Sequence, residues 1–112
     1  MNKNTKSLIK RRDALLGEIS SLSCILNGSL VERYSTCSRK NCACHTGKRH
    51  GPRLYLATTG DKGQRQFYIR AEHAERAAQG VAQGRRLRAI VRELTAINLQ
   101  LLRKSQQEVN HD

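Results

Sequence analysis

Three cysteines and two histidines fall within the fourteen residues from Cys37 to His50, and no other stretch of the chain is so rich in groups that bind or react. Cys37, Cys42 and Cys44 can each supply a thiolate. His50 lies beyond a Thr46-Gly47 turn that gives the chain room to fold back. Zinc takes four soft or borderline ligands in a tetrahedron, so three thiolates and one imidazole make a closed structural site. His45 is the alternative fourth ligand, but it adjoins Cys44, and neighbouring residues do not easily bind one tetrahedral ion together. Cys37, Cys42, Cys44 and His50 are therefore the expected ligands of one structural zinc. Four protein ligands leave no coordination position for water, so hydrolysis does not follow from such a site. Arg39, Lys40, Lys48 and Arg49 lie among these thiols. Nearby cations lower thiol pKa values, which favours metal capture and oxidation alike and keeps a thiol redox sensor as an alternative. Cys24 stands apart beside an apolar stripe and is expected to be a buried, inert thiol.

Catalytic constellations are otherwise missing. Acidic residues are few and scattered, no glycine-rich phosphate loop leads into a helix, and no Ser/His/Asp arrangement is present, so a non-enzymatic protein is expected. The charge points to a partner instead. Lys and Arg number 21 against 9 Asp and Glu, a formal net charge of +12. Such a chain attracts polyanions, nucleic acid first among them. The excess is concentrated in residues 30–70, where nine basic residues face Glu32 and Asp61 alone. Arg85, Arg86, Arg88 and Arg92 form a satellite expected to be a solvated helix face or a secondary phosphate contact.

The elements that would position these groups follow from periodicity. In residues 6–27, Leu8, Leu15 and Leu22 recur every seven positions, with Ile19 and Leu26 between them, and predict a helix stopped at Asn27-Gly28. Leu30 to Tyr34 predicts a short strand. Arg53 to Thr59 and Gln64 to Arg70 predict a hairpin turning at Gly60-Asp61-Lys62-Gly63. Centring the turn there pairs Leu54 with Ile69 and Leu56 with Phe67 on one face. The other face pairs Arg53 with Arg70, Tyr55 with Tyr68, and Ala57 with Gln66. One face is then apolar and the other basic, aromatic and amide-bearing, a separation that a one-residue slip would destroy. Arg39, Lys40, Lys48, Arg49, Arg53, Tyr55, Arg65, Gln66, Tyr68 and Arg70 are the candidate nucleic-acid contacts. Residues 71–108 predict a second helical segment, with Leu87, Ile90, Leu94, Ile97 and Leu101 at 3–4 spacing and a kink or break near Gly80 and Gly84.

Gly28-Ser29-Leu30-Val31-Glu32-Arg33-Tyr34, the Cys37/Cys42/Cys44 loop, His50-Gly51-Pro52 and Glu93-Leu94-Thr95-Ala96-Ile97-Asn98 together resemble an uncharacterised family of short bacterial proteins. Its members are often met around transposases and other mobile elements. The resemblance spans about residues 10–105, and the cysteine–histidine–Gly-Pro portion is its most specific part. Cys37, Cys42, Cys44 and His50 match the family pattern, whereas Cys24 and His45 lie outside it. Arg53 and Leu54 depart from the aromatic residues of that pattern. The resemblance brings no activity, and its setting adds weight to DNA over RNA.

The expected fold is α+β: a single domain of two long helices forming an antiparallel pair, with an inserted small sheet and a cysteine-rich zinc loop. Hydrophobic residues make up 38% of the chain and Trp is absent, so such a small core gains from a metal staple. The expected function is a zinc-stabilised DNA-binding accessory or regulatory protein linked to mobile elements or phage. An adaptor that binds another protein's helix through its seams is the alternative, and a coiled-coil homodimer would use the same seams. No stretch resembles a membrane span or a signal peptide, so the expected setting is the cytoplasm.

Overall fold

A computed structural model of the protein describes residues 3–35 and 50–109. Helix α1 runs over Lys3–Ser20. Strands β1 (Ser29–Ser35), β2 (His50–Gly60) and β3 (Gly63–Ile69) follow, then a 3-10 turn over Ala71–His73 and helix α2 over Ala74–Val109. Among the described residues the architecture is α+β, with two α-helices and one antiparallel sheet in the order β1-β2-β3. No helix among the described residues is long and apolar enough to cross a membrane. The chain divides into two compact units, one made of Met1–Ser23 with Arg85–Asp112 and the other of Cys24–Gly84.

In the helical unit the two leucine-rich stripes meet. Leu15 and Ile90 are fully buried and Ile97 nearly so, with Leu8, Ile19, Leu94 and Leu101 packed against them. Leu16, next to Leu15 in the same helix, is exposed. Two-point ion pairs join the helices. Arg11 donates from Nε and a terminal nitrogen to Glu93 at 2.6 and 3.1 Å, and Arg86 holds both carboxylate oxygens of Glu18. Lys104 Nζ donates to Thr5 Oγ1 at 3.2 Å. Arg86 is thus committed to a partner within the unit and separates from the predicted basic cluster of α2.

These contacts make the unit acid-sensitive. Hydrogen bonds from Arg86 hold the Glu18 carboxyl below the ordinary range against an opposing effect of burial, and those from Arg11 do the same for Glu93. Carboxylates with lowered folded-state pKa values contribute stability above their unfolded values and lose it as pH falls through the folded ones. Urea midpoints are therefore expected to fall from about pH 5 downward. The Glu18→Gln/Glu93→Gln variant is expected to show a flatter acid limb; an unchanged limb would remove these pairs from the account.

Helix α1 ends at Ser20, where the apolar spacing predicts helix through Leu26. The serines explain the earlier stop. Ser20 Oγ donates to the Gly17 carbonyl at 2.7 Å and Ser21 Oγ to the Glu18 carbonyl at 2.6 Å. Such hydroxyls compete with the backbone for carbonyls that the next turn would use. Beyond them the chain lies along α2: Cys24 N–H donates to Gln83 Oε1 at 2.8 Å and Leu26 N–H to the Gly80 carbonyl at 3.0 Å.

The glycines of α2 explain why that approach is possible. A Cβ on Gly84 would lie 2.1 Å from the Leu26 carbonyl oxygen, and one on Gly80 would lie 2.7 Å from Leu26 Cδ1 and 3.2 Å from Cys24 Sγ. Where the sequence predicts a kink or break at these glycines, the helix is uninterrupted. They supply a smooth strip instead, and Ala77 and Val81 are buried on the same face. Cys24 is half-buried with a free thiol.

The sheet follows the predicted hairpin register: Leu54 pairs with Ile69, Tyr55 with Tyr68, Leu56 with Phe67 and Ala57 with Gln66. Asp61 and Lys62 turn with ordinary backbone angles, and the only positive φ among the described residues is that of Gly63, at +94°. A type I turn closed by a left-handed glycine is a common hairpin solution. Strand β1 pairs on the other side of β2, setting Leu30 against Leu56, Val31 against Tyr55, Glu32 against Leu54 and Arg33 against Arg53.

Candidate nucleic-acid interface

Alternation along the three strands sorts their side chains onto two faces. Leu30, Leu54, Leu56, Phe67 and Ile69 share one face, where Leu56 is buried and Phe67 exposed. Val31, Arg33, Arg53, Tyr55, Ala57, Gln66 and Tyr68 share the other. On this second face Arg33, Arg53, Gln66 and Tyr68 are exposed, Tyr55 is half-buried, and no strand residue among those described contributes an acidic side chain.

The face is organised in rows across the strands. Arg33 and Arg53 are direct cross-strand partners; one step along, Val31, Tyr55 and Tyr68 form the next row, and Ser29, Ala57 and Gln66 the one after. The rings of Tyr55 and Tyr68 lie 5.7 Å apart between centroids at 55°, so they are tilted rather than stacked on one another. Arg53 and Tyr68 also border an open cavity at the end of the sheet, which Glu32 lines together with Pro52, Leu54, Ile69, Ala71 and Ala74. Arg70 follows β3 with its backbone still extended, at φ −65° and ψ 149°. Its guanidinium stands 3.8 Å from the Glu72 carboxylate, both side chains largely in solvent. Two like charges set opposite each other on adjacent strands destabilise a sheet by a fraction of a kcal/mol to about 1 kcal/mol. The register makes Arg33 and Arg53 such a like-charged pair.

Of the predicted contacts, Arg53, Tyr55, Gln66 and Tyr68 share this face, with Arg70 directly after it. Arg65 does not join them: it pairs with Thr58 and alternates onto the face of Phe67 and Ile69. Arg33, absent from the predicted set, does join. Its signal in the sequence is alternation with Val31, which becomes readable only when β1 is registered against β2. Cys37, Arg39, Lys40, Cys42, Cys44, His45, Lys48 and Arg49 lie outside the described residues. His50 opens β2, where its backbone pairs with Ser35, so the residues that flank 36–49 are partners in the sheet.

Among the described residues, fold and face together define an α+β unit whose sheet carries a basic, aromatic and largely exposed face. A family model for a domain of unknown function, DUF6788, matches residues 5–79, and the chain belongs to that family. The match takes in all but the first two residues of α1, the whole sheet and the start of α2. No curated protein and no solved structure matches the chain.

Proposed function

We propose that this is a non-enzymatic DNA-binding accessory protein whose sheet face grips the sugar-phosphate backbone. The observation that carries the reading is the arginine pair Arg33–Arg53, cross-strand partners on a largely exposed face that also bears Tyr55, Tyr68 and Gln66, while Glu32 alternates onto the opposite face. Arginines bind phosphates, tyrosines stack on bases and glutamine reaches base edges. DNA is favoured over RNA by the likeness to proteins found near mobile elements, and a role beside such elements or phage follows from the same likeness.

Zinc belongs to this reading as a staple. Cys37, Cys42, Cys44 and His50 would hold it, and its bond energy would stiffen a chain with few buried side chains. Support comes from the Ser35–His50 pairing, which brings His50 back beside the strand end that leads, two residues on, to Cys37. Arg39, Lys40, Lys48 and Arg49 would add positive charge there. An antiparallel helix pair as the rigid base is supported by the ion pairs, whose positions advance in α1 from Arg11 to Glu18 as they retreat in α2 from Glu93 to Arg86.

Gel shifts at rising salt, run beside elemental analysis, test the reading. One zinc per chain is expected. Each phosphate contact releases counterions, so Arg33 and Arg53 together with Arg70 just beyond β3 predict a log–log slope of about −2 to −3, steepening to about −5 or −6 if the four loop cations also engage. Absence of binding at low salt would overturn the proposal. A second reading, an adaptor for another protein's helix, is favoured by the half-exposed Leu16, Val91, Leu99 and Leu102 of the helical unit. Co-purification of one defined protein, without any nucleic-acid shift, would select it.

A further inference from the structure

We infer that the open sheet face takes single-stranded rather than duplex nucleic acid, with unpaired bases on Tyr55 and Tyr68 and phosphates on Arg33 and Arg53. This rests on the nucleic-acid reading above and narrows its ligand.

The width of the sheet argues first. A two-stranded ribbon fits a major groove about 12 Å wide. Here β2 is central, with β1 on one side and β3 on the other. The outer strands then run about 9.6 Å apart between axes, before either edge backbone is counted. The third strand turns a probe for grooves into a platform.

The middle row argues second. Reading base edges in a groove calls for long polar side chains, yet the row beside the arginines consists of Val31, Tyr55 and Tyr68. Bases in a duplex are stacked on one another and offer no ring face to a tyrosine. Bases of a single strand do, and stacking on aromatic residues of an open antiparallel sheet is a recurrent solution to binding them. Tyr68 is 56% exposed and its ring is tilted from that of Tyr55, so it is not used up in a stacked tyrosine pair.

The spacing argues third. Successive same-face residues along a strand are about 6.7 Å apart. Arg53 and Tyr55 on β2 therefore stand one such step apart, with Arg33 beside Arg53 and Tyr68 beside Tyr55. An extended strand crossing from row to row can rest a base on the rings while its backbone meets the guanidinium groups. Gln66, one row further, can hydrogen-bond a base edge.

The test compares the full chain on a thymidylate 12-mer, on a 12-base-pair duplex and on a uridylate 12-mer at one salt concentration. The protein has three tyrosines and no Trp, so quenching of tyrosine emission reports stacking directly. The thymidylate strand is expected to bind at least about tenfold tighter than the duplex and to quench emission. Tyr68→Ala is expected to weaken strand binding by about 5- to 100-fold while leaving duplex binding within about twofold. Tyr68→Phe is expected to keep most of the affinity, and circular dichroism confirms that each variant is folded. The uridylate arm says whether the natural strand is DNA or RNA; tight binding of either supports the inference. Equal or tighter duplex binding, or a folded Tyr68→Ala variant that binds the strand normally, overturns it and leaves the proposed function standing. Failure of all three ligands to bind at low salt overturns both.

Discussion

Gly84→Ala is expected to destabilise the protein by about 2–4 kcal/mol, although alanine is the better helix former. Helix propensity alone favours the substitution by about 1 kcal/mol. Against it stands a Cβ placed 2.1 Å from the Leu26 carbonyl oxygen and 2.9 Å from its carbon. Both are backbone atoms, so relief requires the segment from Cys24 to Gly28 to move. That movement would strain the bond from Leu26 N–H to Gly80 O and the one from Thr58 Oγ1 to the Asn27 carbonyl. Overpacking of this kind costs about 1–3 kcal/mol before the lost hydrogen bonds are counted. Gly80→Ala meets a leucine side chain and a thiol instead, which can shift, and a smaller loss of about 1–2 kcal/mol is expected. Thermal and urea melts of the two variants check the ranking. A Gly84→Ala protein that melts higher than the parent would mean that the close approach is not a constraint.

The second large effect separates stability from binding. Arg33→Glu converts a like-charged cross-strand pair into an ion pair with Arg53. Opposite charges at such positions contribute roughly 0.2–1 kcal/mol, where like charges cost a similar amount. The variant is expected to fold as well as the parent or better by up to about 1 kcal/mol. Its affinity for nucleic acid is expected to fall by about 10- to 100-fold at low salt, with a shallower salt slope. Fluorescence anisotropy and thermal melts on one preparation measure both. Residues that weaken a fold while serving its ligand mark a functional face. Loss of both properties together would make Arg33 an ordinary structural residue.

Much of the sheet is legible in the sequence, and the reason is local. The Gly60–Gly63 turn fixes the register of β2 and β3, and the alternation of Leu54, Leu56, Phe67 and Ile69 with Tyr55, Gln66 and Tyr68 leaves one consistent pairing. The heptad-like stripes likewise locate Leu15, Ile90 and Ile97. What escapes depends on contacts distant in sequence. The place of β1 beside β2 brings Arg33 to the face, and no turn signal specifies that pairing. Arg65, grouped by its charge with the other candidate contacts, falls with Phe67 on the opposite face because of its place in the alternation. The early end of α1 comes from serine hydroxyls that apolar spacing does not register. Gly80 and Gly84 read as helix breakers because propensity describes an isolated helix, whereas here they meet the backbone of Leu26. Their spacing of four, with Ala77 and Val81 between and beside them, is the signal of close packing that the sequence does contain.

Both ends of the described chain belong to one unit, with the entire Cys24–Gly84 unit threaded between its two halves. The helical core therefore joins residues as far apart as Leu8 and Leu101. Bringing such distant positions together from an open chain carries a loop-closure entropy that local contacts repay only late. The sheet unit is rich in neighbouring-strand contacts and can form before the distant ends meet. The topology thus predicts an order of assembly, with the hairpin formed before the helix seam.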